Sequence, residues 1–273
     1  MTVLDALILG VVQGLTEFLP VSSSGHLVLV PEFFNIPAPT IGFDVLVHVA
    51  TLVAVVGYFI RDVVNMVLSV VAPRRLRSRE EVKHWRRLLL WLVIGSIPAG
   101  LVGLLLSDFF EGLFQSTLAV GIFLIVTSLL LWGADFAVGR VRPRTLELGR
   151  MRAGDALIVG CFQALAIAPG LSRSGATITA GVFLGFDRES AARFSFLLSI
   201  PVILGAFLTQ LRDIGGGFAG ASGTAHAVGA IAAAVSGFVA VYFLMRYVRQ
   251  HRLRVFAVYT LLLGLFVIVL SAV

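Results

Sequence analysis

The chain has 273 residues, 58% hydrophobic and only 13% charged, with a mean hydropathy of +0.99. Soluble domains carry about 25% charged residues, so the composition excludes that class and places the chain in a membrane. A formal charge of +6 would suit nucleic acid, but the cations sit in short loops between apolar runs, where membrane topology accounts for them; no nucleic-acid partner is expected.

The N-terminal segment, 1–42, is an apolar run, a break and a shorter apolar run. It lacks a basic leader, and Asp5, Gln13 and Glu17 interrupt it, so it does not read as a signal peptide. Its break lies in FLPVSSSGHLVL at 18–29, a polar knot that is costly in hydrocarbon unless something uses it. Stretches of the roughly 20 residues needed to cross follow, near 43–70, 88–106, 118–139, 190–211, 227–245 and 255–273. The segment 153–189 repeats the first pattern: apolar run, Pro/Gly/Ser break, short apolar run. The basic loops 73–87, 140–152 and 246–254 hold 16 of the 21 Lys and Arg, whereas 107–117 and 213–226 hold none. The positive-inside rule puts the three basic loops in the cytoplasm. Walking outward from these anchors, 1–42 and 153–189 each enter and return on one side, the first from outside and the second from inside. One ordinary span plus a loop per segment is the plainer alternative. Cys161 is the single cysteine, so no internal disulfide forms.

A shift of 150 residues lays GVVQGLTEFLPVSSSGH (10–26) on GCFQALAIAPGLSRSGA (160–176). Gly10, Gln13, Leu15, Ser22, Ser24 and Gly25 meet Gly160, Gln163, Leu165, Ser172, Ser174 and Gly175. The expected fold is therefore an all-α polytopic membrane protein, a single domain over 1–273 built as an inverted-topology repeat. Repeat 1 covers about 1–139 and repeat 2 about 153–273, each with three spans and one re-entrant helix–loop–helix hairpin, the hairpins meeting near the midplane. Non-helical backbone at that depth is tolerated where it lines a polar cavity.

The copies differ where chemistry would. Glu17, Ser23 and His26 in the first stand against Ile167, Arg173 and Ala176 in the second. Gln13 and Glu17, four apart, share a helix face, and Gly10 and Gly14 lie on a neighbouring face where a second helix can approach. A lone Ser or Thr in a membrane helix ordinarily bonds its own backbone, and a lone His is often a satisfied core residue; the clustering of Glu17 and Arg173 at paired breaks argues for more. A guanidinium with Ser172, Ser174 and Thr177 beside helix starts suits phosphate. The carboxylate then needs a proton or a metal, and Mg²⁺ or Ca²⁺ would accept Glu17, the Gln13 carbonyl and phosphate oxygens.

At these residues the chain resembles the undecaprenyl-diphosphate phosphatases of the BacA type, also called bacitracin-resistance proteins. The family's (E/Q)xxxE motif is present as QGLTE, Gln13 to Glu17, and continues through FLPVSSSGH; its PGxSRSxxT motif is PGLSRSGAT, Pro169 to Thr177. The resemblance covers essentially the whole chain, with one departure: many members have Glu where Gln13 stands, which removes one metal-binding charge. It implies a plasma-membrane enzyme that removes the terminal phosphate of undecaprenyl diphosphate, recycling the lipid carrier for cell-wall glycan synthesis and conferring bacitracin resistance. The expected roles follow from residues and resemblance together. Arg173 clamps the diphosphate, with Ser22, Ser24, Gly170, Ser172, Ser174 and Thr177 as substrate-binding groups; Gln13 and Glu17 hold the cation. Ser23 is the candidate nucleophile and His26 its general base, against an alternative in which His26 or Glu17 activates water directly. The lipid tail would lie between spans and the headgroup site would open to the outer side, with the Gly-rich stretch 215–223 a plain connector or part of the entrance. A homodimer is allowed without being required. Three other classes fit less well. The acid-phosphatase-like lipid phosphatases share SGH but need a histidine where Thr179 stands. A lipid-phosphate carrier explains the symmetry better and the asymmetric Glu17, Ser23, His26 and Arg173 less well. A structural protein has no use for polar residues at both breaks. Asp44 and His48 stay unassigned.

Overall fold

The computed structural model describes residues 1–138, 151–210 and 223–271. Among these the fold is helical throughout. The first hairpin is α1 (Val3–Phe18) and α2 (Ser23–Phe34), followed by α3 (Ile41–Tyr58), α4 (Ile60–Val71), α5 (Arg79–Leu105), α6 (Ser107–Phe114) and α7 (Thr117–Ala137). The second hairpin is α8 (Ala153–Leu165) and α9 (Arg173–Phe183), followed by α10 (Arg188–Gln210), α11 (Gly223–Gln250) and α12 (Arg254–Ser271). Among the described residues six helices, α3, α5, α7, α10, α11 and α12, are long and apolar enough to cross a membrane. The chain is thus a multi-pass membrane protein, and large apolar side chains such as Leu105, Leu129, Val235 and Val269 stand exposed on its outside. The hairpin helices, with 16, 12, 13 and 11 residues, are shorter than the roughly 20 residues a crossing takes.

The expected crossing at 43–70 is divided. The apolar run stops being one helix at Phe59, and α4 carries Arg61 and Asp62 in its first turn. Arg193 of α10 donates to Asp62 Oδ2 from Nη2 at 2.7 Å and from Nε at 3.1 Å. The break falls just before Arg61 and Asp62; beyond it α4 packs on α5, and Asp62 is tied to α10 through Arg193. The basic loop expected at 140–152 and the Gly-rich stretch 215–223 fall almost wholly outside the described residues.

Packing between the halves follows an exchange rule. Each hairpin's entry helix lies on the other half's second long helix, α1 on α11 and α8 on α5. The first long helices α3 and α10 pack together, and so do the last, α7 and α12. The two entry crossings use the same device. A Cβ on Gly10 would run into the Gly229 carbonyl, and one on Gly160 into the Gly95 carbonyl. Without a hydrophobic driving force between helices in lipid, such close backbone approach supplies the packing energy.

Candidate active site

The two breaks are built alike. Ser22 and Ser172 are the N-caps of α2 and α9, their Oγ atoms accepting from the Gly25 and Gly175 N–H groups at 3.3 and 3.1 Å. Each cap hydroxyl lies 3.2 Å from a second one, Ser24 Oγ or Ser174 Oγ. Those second serines reach across: the Gly170 N–H donates to Ser24 Oγ at 3.3 Å, and Ser174 Oγ donates to the Leu19 carbonyl at 3.1 Å. A Cβ on Gly25 would lie 3.5 Å from Gly170 Cα, and one on Gly175 3.5 Å from Pro20 Cβ. Positions 20 and 170 are 150 apart, like 25 and 175, so the breaks touch each other through equivalent positions. Both short helices start here, which turns the positive ends of two helix dipoles toward one place.

Each break is also held by the last long helix of the other half. Thr127 of α7 donates to the Gly170 carbonyl at 3.0 Å and accepts from the Ser172 N–H at 2.9 Å. Tyr259 of α12 lies 2.6 Å from His26 Nε2, and His26 Nδ1 lies 2.7 Å from the Ser22 carbonyl. A carbonyl only accepts, so Nδ1 carries the proton and Nε2 accepts from the Tyr259 hydroxyl. Ser22 itself sits at φ +71°, a region a non-glycine residue occupies only when its surroundings hold it there. Gly170, at φ +90°, takes the left-handed backbone at no such cost.

Glu17 lies between the breaks with a fully buried side chain. Arg173, whose side chain is 20% exposed, donates from Nη2 to its Oε1. Its Oε2 accepts from Ser23 Oγ at 2.7 Å and from Gln13 Nε2 at 2.9 Å. His48 Nε2 stands 3.9 Å from the same oxygen, while its Nδ1 lies 2.7 Å from the Asp44 carbonyl. A cavity of about 610 Å³ opens against this cluster. Thr16, Glu17, Ser23, Ser24, His48, Gln163, Ser172 and Arg173 give it polar walls, and residues of α3, α5 and α10 such as Val49, Ala99, Pro201 and Phe207 give it apolar ones.

The structure therefore brings Gln13, Glu17, Ser23 and Arg173 into one bonded cluster, with Ser24 and Ser172 beside it on the cavity wall. Ser22, Ser174 and Gly170 form the joint between the breaks. Thr177 turns away: its hydroxyl lies 2.6 Å from Ser195 Oγ of α10 and donates to the Arg173 carbonyl at 2.7 Å. His26 is not brought to Ser23, since both its ring nitrogens are engaged with Ser22 and Tyr259. Among the polar residues on the cavity wall, Thr16, His48 and Gln163 have no role expected from the sequence. The single signal for His48 was its place near the outer start of a span, and for Gln163 its match to Gln13 in the repeat.

Donors for a hard cation exist in part. Gln13 Oε1 is buried without a partner and Glu17 supplies a carboxylate, but no group of three His, Cys, Asp or Glu forms a cage among the described residues. That pattern fits an ion taken up together with phosphate oxygens rather than one held by protein alone.

The family model of the bacitracin resistance protein BacA matches residues 6–266. A Gemmatimonas aurantiaca protein named undecaprenyl-diphosphatase is 48% identical over 98% of this chain and 97% of its own length. Proteins of the same name from Moorella thermoacetica and Methanosphaera stadtmanae are 44% and 41% identical, the first over 98% of this chain and 97% of itself, the second over 99% of both.

Proposed function

The chain belongs to the BacA family of bacitracin resistance proteins, and from that premise we propose how its cavity hydrolyses undecaprenyl diphosphate to undecaprenyl phosphate and inorganic phosphate. The observation that carries the reading is the Ser23–Glu17–Arg173 cluster spanning both breaks at the wall of the cavity. A hydroxyl already bonded to a carboxylate is a nucleophile with a base in place. A guanidinium beside it matches phosphate oxygens through paired hydrogen bonds.

On substrate entry, Arg173 turns from Glu17 Oε1 to the diphosphate, trading one anion for another. Ser23 Oγ attacks the terminal phosphorus as its proton passes to Glu17 Oε2. The phosphorus–oxygen bond to the bridging oxygen breaks, and undecaprenyl phosphate leaves. Water then attacks the phosphoserine phosphorus; its bond to Ser23 Oγ breaks, Glu17 returns its proton to Ser23 Oγ, and phosphate leaves with the protons of the water. The dipole ends of α2 and α9 and the Arg173 charge neutralise the equatorial oxygens, which is most of what phosphoryl transfer asks of a protein. Gln13 and Glu17 are the residues that would hold Mg²⁺ or Ca²⁺, whose contribution is further charge neutralisation on the phosphate oxygens. His26 serves by fixing the Ser22 carbonyl and through it the aim of Ser23.

The hairpins α1–α2 and α8–α9 each enter and leave the membrane on one side, and the cavity opens outward. Its walls come from the start of α3, the end of α5, Phe114 of α6 and the end of α10, the ends away from the basic loops 73–87 and 246–254. The product monophosphate returns the carrier to cell-wall glycan synthesis, and its turnover underlies bacitracin resistance.

The test is phosphate release from undecaprenyl diphosphate by purified protein in detergent, with and without Mg²⁺ or Ca²⁺. Metal-dependent release is expected. No release from folded protein under any metal would overturn the reading and favour lipid movement, measured by a flipping assay in vesicles.

A further inference from the structure

Gln163 sits near the end of α8, 1% exposed, and lines the cavity with Ser172 and Arg173. Neither its Nε2 nor its Oε1 has a hydrogen-bond partner. A buried amide left unmade on both sides is costly and is rarely kept without use. Its repeat mate shows what is missing. Gln13 donates to Glu17, four residues on; the residue four after Gln163 is Ile167, which offers nothing. The second copy has kept the amide and lost its partner, on the side of the cavity that carries the guanidinium.

We infer that Gln163 is a substrate-contacting residue whose carboxamide hydrogen-bonds the diphosphate headgroup beside Arg173, an inference that rests on the phosphatase reading. Its two N–H groups suit phosphate oxygens. Being neutral, it adds a directional contact without a second cation, so it fixes the orientation of a group that Arg173 attracts. Ile167 keeps the amide free for this use, since a carboxylate there would both occupy it and repel the ligand.

Gln163→Met keeps the volume and removes both polar atoms. The full chain in detergent is assayed for kcat and KM on undecaprenyl diphosphate, and for thermal unfolding with and without inorganic pyrophosphate. The expected result is a loss of kcat/KM of about 10- to 100-fold, carried mainly by KM. The unliganded Tm should hold or rise, because a buried unmade amide is gone, and the pyrophosphate-induced rise in Tm should shrink. Unchanged kcat/KM would overturn the inference, as would a fall in unliganded Tm with KM intact, the signature of a packing role. If the wild-type chain releases no phosphate, the phosphatase reading fails by itself. The inference is then read from pyrophosphate alone: a Tm rise in wild type that Gln163→Met loses supports it, and an equal shift in both, zero included, overturns it.

Discussion

The first and second breaks share a backbone plan and divide the chemistry. Both use a Ser N-cap, a neighbouring Ser that reaches the opposite break, and a Gly that leaves room for it. Both are braced from the last long helix of the other half, one through Thr127 and the other through Tyr259 and His26. The first contributes a carboxylate and a hydroxyl already bonded to each other, the second a guanidinium and an amide without a partner. The duplicated Ser and Gly positions therefore hold the joint, and the carboxylate, hydroxyl and guanidinium of the reaction stand at the diverged positions 17, 23 and 173.

The largest expected effect strikes the diverged positions. Ser23→Ala should lower turnover on the order of 10⁴-fold or more if the serine is the nucleophile, read as phosphate release and as the absence of a trapped phosphoserine. Turnover within about ten-fold of wild type would transfer the nucleophile's role to water. Arg173→Ala should lower kcat roughly 10²- to 10³-fold. It also leaves Glu17 as a buried carboxylate without its partner, which costs about 3–5 kcal/mol of stability, so Glu17→Gln combined with Arg173→Ala should recover thermal stability without recovering activity. Next come the duplicated positions. Gly10→Leu and Gly160→Leu each force a side chain into a facing carbonyl and should destabilise by about 1–3 kcal/mol, seen as a lower Tm in detergent. Their similarity is the point: a strong effect at one and none at the other would break the equivalence of the two crossings. The smallest effect belongs to Tyr259→Phe, which removes one hydrogen bond worth about 1 kcal/mol and should cost a few-fold in kcat with KM unchanged, since the His26 ring then loses its support without leaving the Ser22 carbonyl.

Much of this was readable in the sequence because it depends on spacing. The spacing of four put Gln13 and Glu17 on one helix face, where they bond, and the 150-residue shift made the two breaks opposite walls of one site, where Glu17 and Arg173 are found. What could not be read depended on the register between distant helices. Nothing local to SGH tells His26 that Tyr259, 233 residues later, will take its second nitrogen. His48 lies in a helix with no motif, and its approach to Glu17 comes only from how α3 crosses α1. The division at Phe59 was hidden because the apolar run 43–70 carries polar residues along its length, Asp44 and His48 as well as Arg61, Asp62 and Asn65, and Arg193, which binds Asp62, is 131 residues away.

The reciprocal joint between the breaks also sets a timetable. Leu19 and Ser24 find their partners, Ser174 and Gly170, about 150 residues later in the chain. At synthesis rates of roughly 5–20 residues per second, the first hairpin waits about 10–30 s before the second exists. During that interval the Leu19 carbonyl keeps only the Val21 N–H and the Ser24 hydroxyl only the Ser22 hydroxyl, so water or the insertion machinery must stand in for the partners across the breaks. The first half of the molecule is thus born as a client, and it becomes self-sufficient only when its inverted sibling arrives.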